Sequence, residues 1–259
     1  MTEKKITENR IFKTVLALVF WLGVWQLAAG AVDQELLIPA PLVVARHLVA
    51  IVSGADFWAV IGTSFARILS GFILGCLSGT LLAALCSISS AADAIISPFI
   101  KVVSSVPVTS FIILVMLWLK YTYVPVFIAA LLVIPVLFGN ISTGIGETSR
   151  ELKEVAKIYR FGRLKTLRTL YIPSVLPYFY SGAFTGLGLA WKAGIAAEVL
   201  ALPKRAIGSG MYYSKLYLET ADLFAWTIIV TAFSFLLSFI LRSLMQKQKD
   251  RERKGGSSL

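Results

Sequence analysis

Apolar residues run along the chain in six long blocks, approximately Val15 to Val32, Ile61 to Ser87, Val108 to Leu119, Val124 to Ser142, Ile172 to Leu202 and Leu223 to Leu241. A helix of about 20 apolar residues crosses a hydrocarbon core of ~30 Å. The pattern therefore predicts an all-α membrane protein with about six transmembrane helices, built as a single domain over 1–259. Some blocks exceed one span and are expected to tilt or project beyond the lipid, whereas the third is short and is expected to start earlier. Ahead of it, Ala91 to Ser105 contains Pro98 and is followed by Pro107. This predicts a broken helix, or a short helix leading into the third span.

Between the first two blocks, Leu37-Ile38-Pro39-Ala40-Pro41-Leu42 opens a segment whose Val44, Leu48 and Ile51 share one helical face. An interfacial helix is expected there. Gly71, Gly75, Gly79 and Ala83 in the second block, and Gly182, Gly186, Ala190 and Gly194 in the fifth, recur every four residues. Each set lets a neighbouring backbone approach closely, and packing within one chain is the simpler reading than a subunit interface.

Composition agrees with the pattern: 57% of the 259 residues are hydrophobic, 15% are charged and the mean hydropathy is +0.79. A net charge of +11 could suit nucleic acid, but the cations gather at the ends of apolar blocks, as the positive-inside bias requires. Seven of the 25 Lys and Arg fall between Arg150 and Arg168, and the tail Arg242 to Lys254 adds six. An even number of spans places that loop, the tail over 242–259 and both termini in the cytoplasm. Lys4, Lys5, Arg10 and Lys13 before the first block, with Ala29-Gly30-Ala31 after it, resemble a cleaved signal peptide. The length of the block, and Trp21 and Trp25 within it, favour a retained helix. Cys76 and Cys86 would lie about 15 Å apart along one helix, beyond disulfide reach, and are read as packing residues.

Several chemistries lack material. His47 is the sole histidine, so neither a zinc-protease helix nor a Ser-His pair can be assembled, and no phosphate-binding G-x-x-x-x-G-K-[ST] loop exists. An ATPase serving this chain must be another chain. Asn140-Ile141-Ser142 matches a glycosylation acceptor but lies at the expected inner end of the fourth span.

The basic loop carries its own pattern. Thr148-Ser149-Arg150-Glu151 reads as a capping box that starts a helix. Leu152, Val155, Ala156 and Tyr159 then follow at i, i+3, i+4 and i+7, with Arg150, Lys153, Glu154, Lys157 and Arg160 opposite. Gly162 can break this helix, and Leu164, Leu167 and Tyr171 form a second stripe before Pro173 and Pro177 at the start of the next span. A basic helix-turn-helix lying on anionic lipid would share these features.

Glu154-Val155-Ala156, Arg160 and Leu170-Tyr171-Ile172-Pro173 resemble the EAA loop of binding-protein-dependent ABC importer permeases, E-A-A-x3-G-x9-I-x-L-P, without a gap. Val155, Arg160, Leu170 and Ile172 depart from it, and Gly162 is expected to supply the turn in place of the missing glycine. Leu37 to Pro41, Thr63 to Phe72 and Trp191-Lys192-Ala193-Gly194-Ile195-Ala196-Ala197-Glu198-Val199 resemble the nitrate, sulfonate and taurine branch of that family. The resemblance implies a type I importer permease fold in a prokaryotic inner membrane, with no catalytic site, metal or cofactor on this chain. It further implies two ABC ATPase subunits that bind ATP and Mg, a second permease copy in a homodimer or a close relative in its place, an extracytoplasmic binding protein and a lipid surround, without nucleic acid. The loop over 148–171 would be the ATPase-coupling element, formed by Glu151, Leu152, Glu154, Val155, Ala156, Tyr159, Arg160 and Gly162. A sulfonate, taurine-like or nitrate-like anion, or a vitamin precursor, would be the solute.

Pro107, Trp191, Lys192 and Glu198 are the candidates for the solute path, with Arg67 beside them, because charge and proline at membrane depth are costly. Lys192 and Glu198 are six residues apart and cannot pair within one helix. Lys192 either faces the path, snorkels, or pairs between helices. A self-sufficient transporter or a membrane scaffold would be the readings from other classes.

Overall fold

The computed structural model describes residues 2–256, with side chains described for 12–243. Most of the expected basic tail over 242–259, and the side chains of Lys4, Lys5 and Arg10, lie outside the described residues. All regular structure among the described residues is helical. In chain order it comprises α1 (Thr2–Val32), α2 (Pro41–Ser53), α3 (Phe57–Ile88), α4 (Ser90–Ser105), α5 (Val108–Val115) and α6 (Val124–Gly146). After these come α7 (Arg150–Ile158), α8 (Arg163–Thr166), a π-helical turn (Leu167–Tyr171), α9 (Ile172–Ala201), α10 (Ile207–Leu216) and α11 (Thr220–Gly256).

Five stretches are long and apolar enough to cross a membrane: Phe12–Val32, α3, α6, the continuous Arg163–Ala201 and Thr220–Ser243. In place of the sixth expected span stands the pair α4 and α5, bent by 101°, the geometry of a broken span or a re-entrant loop. Proline disfavours the α conformation in the residue before it. Val106 is accordingly extended at ψ 133°, and Pro107, which has no N–H to give, caps α5.

The chain forms two compact units, residues 1–59 with 210–230, and residues 60–209 with 231–259. In the first, Pro41 presets the backbone of the first turn of α2, and Val44 is buried with Leu48 and Ile51 half-buried on the expected face. The indole of Trp25 donates to the carbonyl of Pro39 at 3.0 Å and stacks on Phe224 with ring centroids 5.7 Å apart. Thr220 donates to the Leu36 carbonyl at 2.7 Å, and His47 Nδ1 lies 2.6 Å from Asp222 Oδ1.

In the second unit α6 runs between two small-residue faces. A Cβ added at Gly71 would lie 2.3 Å from the Val126 carbonyl, one at Gly75 would lie 2.6 Å from Val133 Cβ, and one at Gly79 would lie 2.7 Å from the Ile134 carbonyl. From the other side Gly186 would meet Val133 Cγ1 at 3.3 Å and Gly182 would meet Asn140 at 3.1 Å. Val133 is thus gripped by glycines of both α3 and α9 and is fully buried. The glycine ladders serve packing within the chain, as the simpler reading required. At one end of this unit Ile112, Val115, Val124, Ile128, Ala193, Ala197 and Ala201 join α5, α6 and α9 in one apolar cluster.

Candidate functional site

The basic loop leaves α6 through a tight junction. Thr148 is buried and its hydroxyl donates back to the Gly144 carbonyl at 3.1 Å. With Thr148 so engaged, the cap of α7 falls to Ser149, one residue later than the capping box expected from the sequence. The Ser149 hydroxyl accepts from the amide of Leu152 at 3.2 Å and donates to Glu151 Oε2. That hydroxyl holds the Glu151 carboxyl below the usual carboxylate range.

Only Ala156 of α7 is buried. Leu152, Val155, Ile158 and Tyr159 are exposed by 52%, 43%, 76% and 72%, an unusual apolar display on a short helix already rich in charge. The expected stripe therefore splits, with Ala156 packing beneath and Leu152, Val155 and Tyr159 facing out. Glu151 and Glu154 are exposed beside them.

Arg160 ends the helix in the left-handed conformation, φ 50°. Its amide reaches the Lys157 carbonyl at 3.1 Å, and the Phe161 amide reaches the Ala156 carbonyl at 2.9 Å. This pair of bonds is a Schellman motif, in which the left-handed place usually belongs to glycine. Gly162 was expected to make the turn, but it has φ −64° and ψ 158°, which any residue adopts, and opens α8 instead. Arg160 turns the chain itself because the two reverse bonds fix it there. Lys165 then covers the Phe161 ring with its Nζ 4.0 Å from the centroid.

The helix from Arg163 to Ala201 is continuous across Pro173, with the π turn immediately before the proline. In an α-helix Pro173 would press its ring against the carbonyl four residues back, and a π turn widens the spiral at that place. Pro177 lies further inside the helix than the span start expected for it.

Beyond Pro177, α9 shows an uneven surface. Ser181, Thr185, Leu189 and Lys192 are exposed, while Gly182, Ala183, Gly186, Ala190, Trp191, Ala193 and Gly194 are buried. Ser181, Thr185 and Lys192 lie within roughly 40° of one another around the helix. Pro107 is exposed at the α4–α5 break, as are Ser104, Ser105, Thr109 and Ser110 around it. Trp191 is instead enclosed, between the rings of Phe65 at 6.2 Å and Phe233 at 6.4 Å. Of the four path candidates, Pro107 and Lys192 are exposed, while Trp191 and Glu198 are buried. The sequence reading passed over Ser181 and Thr185, although their i, i+4 spacing and Lys192 at i+11 could have revealed the shared face.

Glu198 is fully buried and fully engaged. Its Oε2 accepts from the Ser64 hydroxyl at 2.8 Å and the Gly208 amide at 3.2 Å, and Oε1 lies 3.4 Å from Arg67 Nη1. Ser64 in turn accepts from the Ile207 amide at 2.9 Å. Arg67 donates onward to the carbonyls of Lys204 at 2.8 Å and Arg205 at 3.2 Å. A Cβ at Gly208 would stand 2.5 Å from Glu198 Cβ, so the backbone approach requires glycine. The site satisfies a buried carboxylate by hydrogen bonds from α3 and from the first turn of α10.

The model of the family described as binding-protein-dependent transport system inner membrane component matches residues 71–254. The putative aliphatic sulfonates transport permease protein SsuC of Bacillus subtilis (strain 168) is 23% identical over 228 residues, covering 87% of this chain and 82% of that protein. The taurine transport system permease protein TauC of Escherichia coli (strain K12) is 24% identical, covering 86% and 83%. The nitrate import permease protein NrtB of Synechococcus elongatus is 25% identical, covering 72% and 70%. Among solved structures, a chain from the crystal structure of an amino acid ABC transporter with histidines shares the fold at a TM-score of 0.59. Its identity is 16%, and the match covers 73% of this chain and 90% of that one.

Proposed function

This chain belongs to the binding-protein-dependent transport system inner membrane components, and from that premise we propose that α7 is its ATPase-coupling helix and the exposed polar stripe of α9 its solute path. It is a multi-pass permease subunit of an ABC importer, of the nitrate, sulfonate and taurine branch, and not an enzyme. Such a subunit works with separate ATPases, which bind the ATP and Mg, and with a solute-binding protein.

The observation that carries the coupling reading is the apolar display on α7. A helix capped at Ser149, locked at its end by the Arg160 turn and followed from Arg163 by a helix that runs unbroken to Ala201 can pass on a rigid-body displacement. Leu152, Val155, Ile158 and Tyr159 would enter an apolar cleft of the ATPase, while Glu151, Glu154 and Arg160 make polar contacts at its rim. Gly162 sets the entry of α8 from below.

A polar or charged group inside a membrane faces protein or water rather than lipid. Ser181, Thr185 and Lys192 are exposed on this chain, so a second copy, related by a two-fold axis, is read as closing the other wall of a watery path. Lys192 and the hydroxyls suit a small oxyanion, in line with the sulfonate, taurine and nitrate relatives. With the coupling loop in the cytoplasm, both termini lie there too.

The test is Leu152→Asp with Ile158→Asp. The pair is expected to abolish co-purification of the ATPase while leaving membrane insertion and the unfolding temperature unchanged. A variant that retains the ATPase at wild-type stoichiometry, and its solute-stimulated hydrolysis, rejects the docking role.

A further inference from the structure

We infer that the groove between α9 and α11 holds one acyl chain of an anionic phospholipid, whose phosphate is bound by Arg242. The site is separate from the coupling and path roles, and only its place in the cytoplasmic leaflet rests on the orientation proposed above.

Three small residues keep the groove open. Gly188 comes from α9, and Ser234 and Ser238, one helical turn apart, come from α11. Leu187, Trp191 and Leu237 line it too and are buried, so they form its floor. At Gly71, Gly75 and Gly79 of α3 an added Cβ would strike α6 at 2.3, 2.6 and 2.7 Å, whereas at Gly188 it would meet nothing within 4 Å. Among the described residues none fills this space of about 210 Å³.

The dimensions suit a hydrocarbon chain. Packed proteins leave few such gaps, and a largely apolar groove at membrane depth takes an apolar occupant rather than water. The lining runs from Phe184 to Trp191 on α9 and from Ser234 to Leu241 on α11. Seven helical steps rise about 10 Å, the reach of roughly eight methylenes, and a helix about 10 Å across laid over that length would need roughly four times the volume. Phe235, Leu236, Phe239 and Ile240 are exposed along α11, so the groove opens beside a surface made for lipid.

Arg242 selects the headgroup. Its guanidinium carbon stands 5.0 Å from the centroid of the Phe184 ring, which carries the charge from α11 across to the end of the groove on α9. The sequence has no Asp or Glu from Leu223 to Lys249 or from Ile172 to Ala197, and among the described residues no carboxylate pairs with Arg242. A guanidinium resting on a ring keeps N–H groups to fork onto a phosphate. Arg242 also ends the Thr220–Ser243 span, at the depth where the phosphates of the cytoplasmic leaflet begin, and basic pockets between helices on that side take anionic headgroups.

The experiment is native mass spectrometry of the assembled transporter, titrated in detergent with dioleoyl phosphatidylglycerol or dioleoyl phosphatidylcholine. The wild type is expected to hold phosphatidylglycerol about fivefold more tightly than phosphatidylcholine. Arg242→Gln should bring the two lipids level, and Arg242→Lys should keep part of the preference. Gly188→Leu, which fills the groove, should weaken both lipids at an unchanged unfolding temperature. Equal binding of the two lipids by the wild type, or a preference that survives Arg242→Gln, overturns the inference. So does lipid binding that Gly188→Leu leaves untouched. If Gly188→Leu releases a second permease copy rather than lipid, the groove is a subunit contact and the inference falls as well. None of these readouts involves ATPase coupling or transport, so their outcome is independent of the proposed function.

Discussion

The hydroxyl of Ser64 donates a 2.8 Å hydrogen bond to Oε2 of Glu198, joining α3 to the end of α9 across 134 positions of sequence. Both residues are fully buried, and the same carboxylate takes the Gly208 amide and faces Arg67. Removing it leaves Arg67, Ser64 and an amide without their partner. Glu198→Ala is expected to destabilise the folded protein by about 3–5 kcal/mol, and Ser64→Ala by about 1–3 kcal/mol. Thermal unfolding of the purified protein in detergent checks the order, and equal midpoints for all three proteins would contradict the network.

The grip of Gly75 on Val133 predicts a sharp contrast between two glycines. Gly75→Val places new atoms where a Cβ would already stand 2.6 Å from Val133, and overpacking of that kind costs about 1–3 kcal/mol. Gly139 has nothing within 4 Å of an added Cβ, and Gly139→Ala should be neutral or stabilising. The fraction of monodisperse protein on size exclusion, with the unfolding midpoint, distinguishes them.

Arg160 holds φ 50° at the end of α7, a conformation that costs an ordinary residue about 1 kcal/mol. Arg160→Gly should return that amount as slower proteolysis of the loop, whereas Gly162→Ala, at φ −64° with open space around it, should change little. If Gly162→Ala proved the more disruptive, the turn assignment would be wrong.

Ser149 and Glu151 predict a pH dependence of the start of α7. The Glu151 carboxyl lies below its ordinary value because the Ser149 hydroxyl bonds to the ionised form. A depressed carboxylate pKa contributes stability that is complete above the unfolded value and disappears as pH falls through the folded one. The helix start should therefore loosen only in acid. Carbon-13 titration of the Glu151 carboxyl should move upward in Ser149→Ala, and an unmoved titration would remove the hydroxyl as the cause.

For the α9 stripe, cysteines placed at Ser181, Thr185 and Lys192 in a background lacking Cys76 and Cys86 should react with a charged, membrane-impermeant thiol reagent. A cysteine at Ala193, which is buried, should not. Labelling of all four alike, or of none, would leave no watery face there.

By itself the sequence determined the helical membrane character, the places of most spans, the inward face of α2 and the family of the chain. Each of those rests on local period, span length and near-neighbour charge, which a chain displays before it folds. What it could not settle was which of several possible partners, near or distant in sequence, each group takes. The Thr148 hydroxyl turned back to Gly144, so the cap moved to Ser149. Arg160 rather than Gly162 took the left-handed place, because two backbone bonds compel it. Trp191 and Glu198, adjacent in pattern to Lys192, went inside while Lys192 stayed on the surface. Tertiary structure made those choices because burial and hydrogen-bond satisfaction depend on which helix lies opposite, and helical spacing alone carries no record of the neighbour.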